Sequence, residues 1–229
     1  MPRTRSTPKP RRPAPARPSR SSTARVRDAS ARRRTEHRAE LRGAILAAAT
    51  RLLADQGYEA FSLRRLAERI GYSATTIYLH FRDKDDLVVA VMTAGFALFA
   101  ERLRAAVASS RDPFEQLRAL ADAYVTFGLE QAVEYRVMFM QRCELWERLS
   151  ETERGEMLGS YALLEDTVRR VLASGRTRRL PAEAVSAVLW AQVHGLVTLL
   201  LTMPKLEGAK ARDLVRVANE IAIHGLLAR

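Results

Sequence analysis

Three observations predict an all-α fold. Apolar residues recur at helical spacing from Glu36 onward, capping residues and glycines punctuate that run, and no segment alternates polar with apolar residues as a strand would. With 229 residues, 47% of them apolar and 28% charged, the chain has the balance of a globular protein and ample length for a buried core. This composition excludes a wholly disordered chain, a collagen-like repeat and a disulfide scaffold.

Residues 1–34 precede the helical pattern. They hold six of the nine prolines and almost no large apolar side chain, so they are expected to be disordered. The first helix is expected from Glu36, with Leu41, Ile45, Ala48, Ala49 and Leu52 on one face, and Gly57 ends it by tolerating φ > 0. Ser62 is the predicted N-cap of a short helix that turns Leu63, Leu66, Ala67 and Ile70 inward. Gly71 allows a tight turn, and Ser73 caps a second helix of similar length with Ile77 and Phe81 inward. Asp83 caps a long helix from Lys84 to about Ser109, and Asp112-Pro113 starts another that runs to about Glu130. Four more helices are expected: Glu134 to Leu149, Ser150 to about Ala173 with a stop at Gly175, Leu180-Pro181 to about Met203, and about Lys210 to Ala228.

The formal net charge of +12 is concentrated at one end. Residues 1–38 carry thirteen Lys/Arg against Asp28 and Glu36, whereas the remainder holds 25 bases and 24 acids. A basic arm on a nearly neutral body points to a polyanionic partner, either nucleic acid or an anionic membrane surface. Three readings of residues 1–34 stay open: an electrostatic DNA-binding arm, a solvated extension and an organelle transit peptide. The last is weakened because the prolines prevent an amphipathic helix through Ser19. No apolar secretory segment follows the N-terminus, and the longest mostly apolar run, Leu196 to Met203, falls far short of the ~20 residues that span a bilayer. The single cysteine, Cys143, excludes an intrachain disulfide and fits a reducing compartment. A cytoplasmic, nucleoid-associated protein with no membrane partner is therefore expected.

The segment from Ser62 to Phe81 carries the chemistry. Two short helices joined at Gly71, with apolar residues only on their shared faces, form a helix-turn-helix. Leu66, Ile70, Ile77 and Phe81 lock the pair together. The outward face of the second helix presents Ala74, Thr75, Thr76, Tyr78, Leu79 and His80, with no acid among them. A low-bulk, acid-free face can approach a polyanion closely and read base edges in the major groove. The same pattern is also met in ordinary helical hairpins with a polar outer face, and pattern alone leaves that alternative open.

The block from about Arg38 to Met92 resembles the N-terminal DNA-binding domain of TetR-type transcriptional regulators. The resemblance rests on Ala54-Asp55-Gln56-Gly57-Tyr58, Phe61-Ser62, Leu66-Ala67, Gly71-Tyr72-Ser73, Thr76-Ile77-Tyr78, Phe81 and Asp83-Lys84-Asp85-Asp86-Leu87, in that order. Where many members carry Lys or Arg near the start of the recognition helix, this chain has Ala74 and Thr75. The resemblance implies phosphate contacts from Tyr78 and Lys84, a phosphate clamp from Ser62 with Arg64 or Arg65, and Ser73 at the head of the recognition helix. A Lys at a helix N-terminus opposes the macrodipole, and a phosphate beside Lys84 would resolve that conflict. Residues 35–83 are thus expected to form the DNA-binding domain and residues 84–229 a helical effector-binding and dimerisation domain.

Trp190, His194 and Gly195 resemble the Trp-x-x-x-His-Gly signature of one subgroup of TetR-type C-terminal domains, and Tyr124 to Phe139 resembles its middle segment. This implies a ligand pocket and a dimer made by the last two helices. The helices support dimerisation independently. Val185, Leu189, Val193, Leu196, Val197 and Leu200 make one apolar face, and Leu214, Val217, Ile221, Leu226 and Leu227 another; one can pack internally and the other across a partner. Phe99, Tyr124, Phe127, Phe139, Trp146, Trp190 and His194 are the candidate pocket residues, with ordinary core packing as the alternative for each, and Phe96, Met138 and Met140 are further side chains that could line a cavity.

No cofactor and no metal site is expected. His37, His80, His194 and His224 lack ligand spacing with one another or with Cys143, and no Gly-rich phosphate loop or nucleophile elbow is present, so an enzyme is not expected. The expected partners are double-stranded DNA with a palindromic operator, a second copy of the chain and a small apolar effector that releases a repressor. The alternative is a DNA-binding or architectural protein indifferent to ligands.

Overall fold

The computed structural model describes residues 20–139, 147, 149–203 and 209–227. Nine helices form among them: α1 (Arg20–Ala60), α2 (Leu63–Ile70), α3 (Ala74–Tyr78), α4 (Lys84–Ala108), α5 (Pro113–Glu130), α6 (Ala132–Phe139), α7 (Glu151–Ala173), α8 (Ala182–Thr202) and α9 (Ala209–Leu226). The described residues contain no strand, only an isolated antiparallel bridge between Thr177 and Leu227. The chain divides into two units, one ending at Gly43 and the other running from Ala44 to Arg229.

In the first unit, the expectation of disorder through residue 34 and of a helix beginning at Glu36 is corrected: α1 begins at Arg20. Residues 20–34 follow the last proline of the arm, lack glycine, and are rich in Ala and Arg, which favour helix. They extend a helix already nucleated further along, so each added residue avoids the initiation cost. Arg32, Arg33 and Arg34 are exposed on it.

The second unit builds its helices with the predicted caps. Ser62 accepts from the Arg65 N–H at 3.2 Å, Ser73 from Thr76 at 3.2 Å and Asp83 from Asp86 at 2.8 Å. Asp112 caps Pro113 at the start of α5, accepting from Phe114 at 3.0 Å. Ser150 and Glu153 make a reciprocal capping box at α7. Gly57, Gly71 and Gly175 have φ of 71°, 74° and 73°, so each is where the backbone enters the left-handed region that a side chain would strain. Two boundaries differ from expectation. Helix α3 is only five residues long, because Leu79 and His80 close it with a tighter turn before Asp83 starts α4. Helix α6 begins at Ala132 and is followed to Phe139; most of the rest of the predicted Glu134–Leu149 helix lies outside the described residues.

Ile45, Ala49, Leu52, Leu66, Ile77 and Phe81 are each at most 2% exposed, so α1, α2 and the segment from α3 to Phe81 all bury their apolar side. Ile70 is only half-buried. Helix α4 packs against α5, α6 and α7, and a second core of Phe114, Leu117, Val168, Val171, Val185, Ile223 and Leu226 ties α5, α7, α8 and α9 together. Two close approaches need glycine. A Cβ on Gly128 would meet the Val197 side chain at 2.4 Å, and one on Gly95 would meet Met138 at 2.8 Å. Helix α8 is long and apolar enough by length and composition to cross a membrane, which the unbroken run Leu196–Met203 understated. Its Val185, Val197 and Leu200 are instead buried in the bundle, while Val188 (67% exposed) and Leu199 lie on its outer side.

Candidate DNA interface and ligand cavity

The helix-turn-helix presents its predicted face unevenly. Thr75, Tyr78 (57% exposed) and Leu79 (69%) are open to solvent, while Ala74, Thr76 and His80 are half-buried. The Thr76 hydroxyl is 2.9 Å from Ser73 Oγ, so both side chains are engaged at the head of α3. On α2, Arg64 pairs with Glu68 at 3.1 Å and Arg65 donates to the Ala60 carbonyl at 3.2 Å. Both arginines are solvent-exposed, and surface pairs of this kind contribute little and yield readily to a phosphate. Ser62 keeps its hydroxyl proton available while its oxygen caps α2.

Lys84 has a different setting from the one expected. Its Nζ lies 3.9 Å from the Tyr58 ring centroid, and the Tyr58 hydroxyl bonds Asp85. Asp85 and Asp86 occupy the same first turn and Asp83 caps it. These acids and the ring already offset the unfavourable macrodipole, so a phosphate is not required to explain a lysine there.

In the body of the second unit, a cavity of about 440 Å³ opens among α4, α5, α6, α7, α8 and α9. Five of the predicted pocket residues line it: Phe99, Tyr124, Phe139, Trp190 and His194. Phe127 is fully buried and stands behind Phe99, with ring centroids 4.9 Å apart. Trp146 and Met140 lie outside the described residues. Phe96 and Met138 reach the wall too. The single-helix periodicity missed Met157 and Tyr161 of α7 and Asn219 and Ile223 of α9, which join the wall only because those helices fold back over α5.

A polar cluster sits at one end. Tyr135 Oη is 2.6 Å from His194 Nδ1, Tyr124 Oη is 3.0 Å from the same nitrogen, and Trp190 Nε1 donates to Tyr124 Oη at 3.3 Å. Thr198 Oγ1 donates to the His194 carbonyl at 2.9 Å. Burial pushes the Tyr124 hydroxyl up to about 12 and the Tyr135 hydroxyl higher still, so both stay protonated; burial lowers His194, so its ring is neutral near pH 7. Phe139, Trp190 and Tyr135 surround the imidazole at centroid distances of 5.3 to 5.7 Å. Among the described residues, no group of three or more His, Cys, Asp or Glu could hold a metal.

A short helix pair with a small polar outer face, joined to a helical body that encloses an apolar cavity, is the architecture of a DNA-binding regulator with an effector domain. Residues 45–91 match the bacterial regulatory proteins of the tetR family, and residues 117–219 match a tetracyclin repressor-like C-terminal domain. The chain is 30% identical over 179 residues to the HTH-type transcriptional repressor AcnR of Corynebacterium glutamicum, covering 75% of this chain and 88% of that protein. It is 32% identical over 102 residues to the HTH-type transcriptional activator FasR of Mycolicibacterium smegmatis, covering 44% of this chain but only 47% of FasR. In three dimensions it is similar to the fatty acid degradation regulator FadR from Bacillus halodurans, with a TM-score of 0.70 at 20% identity over 82% of this chain and 97% of that one. The chain belongs to the tetR family of bacterial transcriptional regulators.

Proposed function

We propose that this protein is a cytoplasmic, nucleoid-associated homodimeric repressor rather than an enzyme. It binds a palindromic operator with its two helix-turn-helix units and is released by a small apolar ligand. Residues 35–83 serve as the DNA-binding domain and residues 84–229 as the effector and dimerisation domain. Within the latter, Trp190, His194 and Gly195 mark membership of the Trp-x-x-x-His-Gly subgroup. The observation that carries the ligand-controlled reading is the cavity of about 440 Å³, a size suited to a small organic molecule, beneath a helix that begins at the DNA-binding unit. Dimerisation is supported by the outward apolar residues Val188 and Leu199 of α8 and Val217 and Ile221 of α9, four exposed hydrocarbon side chains on the two helices.

Thr75, Tyr78 and Leu79 are the residues best placed to meet DNA, with Ser62, Arg64, Arg65 and Lys84 flanking them on phosphates. A ligand that prefers a tilted α4 changes the distance between the two recognition helices, which must sit about 34–36 Å apart to reach successive major grooves. Residues 1–34 add non-specific electrostatic affinity. Their removal flattens the log–log salt dependence by about 0.9 for each phosphate no longer neutralised, and leaves the preferred operator unchanged.

The test is selection of bound fragments from a genomic DNA library, followed by footprinting and by titration of apolar compounds against the complex. The expected result is one palindrome with two symmetric half-sites, and an effector that weakens it about 5–150-fold. A single asymmetric half-site overturns the dimer. Compounds that fill the cavity and leave operator affinity unchanged overturn ligand control and favour a constitutive DNA-binding protein.

A further inference from the structure

The polar end of the cavity is asymmetric. His194 makes its hydrogen bonds through Nδ1, which faces Tyr135 and Tyr124; Nε2 has no partner among the described residues and is not sealed inside the packing. A phenol is a far stronger proton donor than a neutral imidazole, and the 2.6 Å separation fits O–H···N. Tyr135 therefore donates to Nδ1, which places the ring proton on Nε2. His194 is one of the lining residues, and with Nδ1 turned to the tyrosines, Nε2 is the ring nitrogen left for an occupant.

The rest of the wall narrows the occupant. Among the described residues of the wall, Arg118 alone is charged, and it is paired with Glu115. Trp190 Nε1 is used by Tyr124, Ser160 donates to the Met157 carbonyl, and Gln192 and Asn219 give an N–H to Ala218 and Asp122 respectively. No described residue at this polar end carries an unpaired positive charge. Burying an unpaired carboxylate there would be costly, whereas an uncharged acceptor satisfies one donor with one lone pair.

We propose that the cavity selects a neutral, largely apolar molecule bearing a carbonyl, whose oxygen accepts from His194 Nε2 while its hydrocarbon part lies against Phe96, Phe99, Met138 and Leu189. The proposal rests on the ligand-controlled reading given above and specifies the chemistry of its ligand. Tyr135 and Tyr124 act as positioning residues: by occupying Nδ1 they fix the tautomer that points a donor inward.

The test uses three probes of matched shape on the full chain, measured by isothermal titration calorimetry at pH 8: 2-acetylnaphthalene, naphthalene and 2-naphthoate. The ketone is expected to bind about three- to tenfold more tightly than naphthalene, the span of one net hydrogen bond, and the carboxylate more weakly than the ketone. His194→Asn keeps a polar group near the Tyr135 hydroxyl and removes the inward donor, so it abolishes the preference for ketone over naphthalene. His194→Gln returns an N–H near the Nε2 position and restores the preference in part. Equal binding of ketone and naphthalene to the unaltered chain overturns the carbonyl assignment and leaves ligand control intact. Tighter binding of the carboxylate also overturns it, by showing a positive charge at that end. Failure of all three probes to bind overturns the assignment, while ligand control is decided separately by titration against the operator complex. The unaltered chain decides the outcome even if His194→Asn fails to fold.

Discussion

The helix-turn-helix and the α8–α9 side of the body treat their apolar residues in opposite ways. In the former, Leu66, Ile77 and Phe81 are all buried, and apart from Leu79 (69% exposed) most of what remains outside is short, polar or aromatic with a hydroxyl. In the latter, Val185, Val197 and Leu200 are buried while Val188, Leu199, Val217 and Ile221 stay exposed on the same two helices. A small unit that must dock on a polyanion hides its hydrocarbon and shows hydrogen-bonding groups. Hydrocarbon left in water on α8 and α9 suits the dimer surface proposed above, which a second copy would cover. The difference also shows in polar chemistry. Around α2 and α3 the caps join residues three apart and the Arg64 and Arg65 side chains reach only four or five positions, whereas the cavity cluster joins Tyr124 and Tyr135 to a histidine 70 and 59 positions away.

The largest effect should come from breaking the partner surface. Val188→Asp with Ile221→Asp places charges on the exposed apolar face without entering the core. Sedimentation should then show a monomer, with operator affinity down by about a hundredfold or more once the two half-sites are no longer linked. A dimer that survives both substitutions would move the interface elsewhere. Next is the close approach of α5 and α8. Gly128→Ala puts a methyl group 2.4 Å from Val197 in a buried position, and urea unfolding should show a loss of about 1–3 kcal/mol. The double change Gly128→Ala with Val197→Ala should recover part of it.

Two further changes sharpen the DNA side against the cavity side. Thr75→Ala should alter base preference at one position per half-site by about 1–3 kcal/mol, while Tyr78→Phe should weaken all sequences alike. Competition binding against a panel of operator variants separates the two patterns, and a uniform loss from Thr75→Ala would make it a phosphate contact. The smallest effect is a pH dependence. His194 has a lowered folded value, so the unfolded chain binds a proton that the folded chain does not. Stability therefore falls as pH drops below about 6.5, the unfolded value, and rises again with pH. His194→Gln should flatten that slope in thermal melts between pH 5 and 7, and an unchanged slope would place the titration in another residue.

Much of this molecule is legible before folding. Ser62, Ser73, Asp83, Asp112 and Ser150 each cap the helix assigned to them, because a cap is a contact between residues two or three apart. Gly57, Gly71 and Gly175 likewise mark the turns, since the left-handed backbone is a local demand. Local signals mislead where they compete. The prolines of the arm suggest disorder beyond their own reach, while the Ala- and Arg-rich stretch after Pro18 continues a helix. Asp85 and Asp86 are visible beside Lys84 in the sequence, but the ring of Tyr58 against it is not, because Tyr58 lies 26 positions earlier, across two turns and two helices.

By itself the sequence determined most of the helices, the caps that start them and the polar face of α3, since caps, glycine turns and apolar spacing act over a few residues at a time. Only the tertiary structure decided which apolar stripe of α8 enters the core and which faces outward, because both stripes carry similar hydrocarbon and the choice depends on what α5, α7 and α9 bring against it. It alone also decided that Phe99, Tyr124, Phe139 and His194 enclose one space while Phe127 stands behind its wall. A cavity is a shape left between packed helices, and the direction in which His194 offers its proton is set by hydroxyls that lie far from it in sequence.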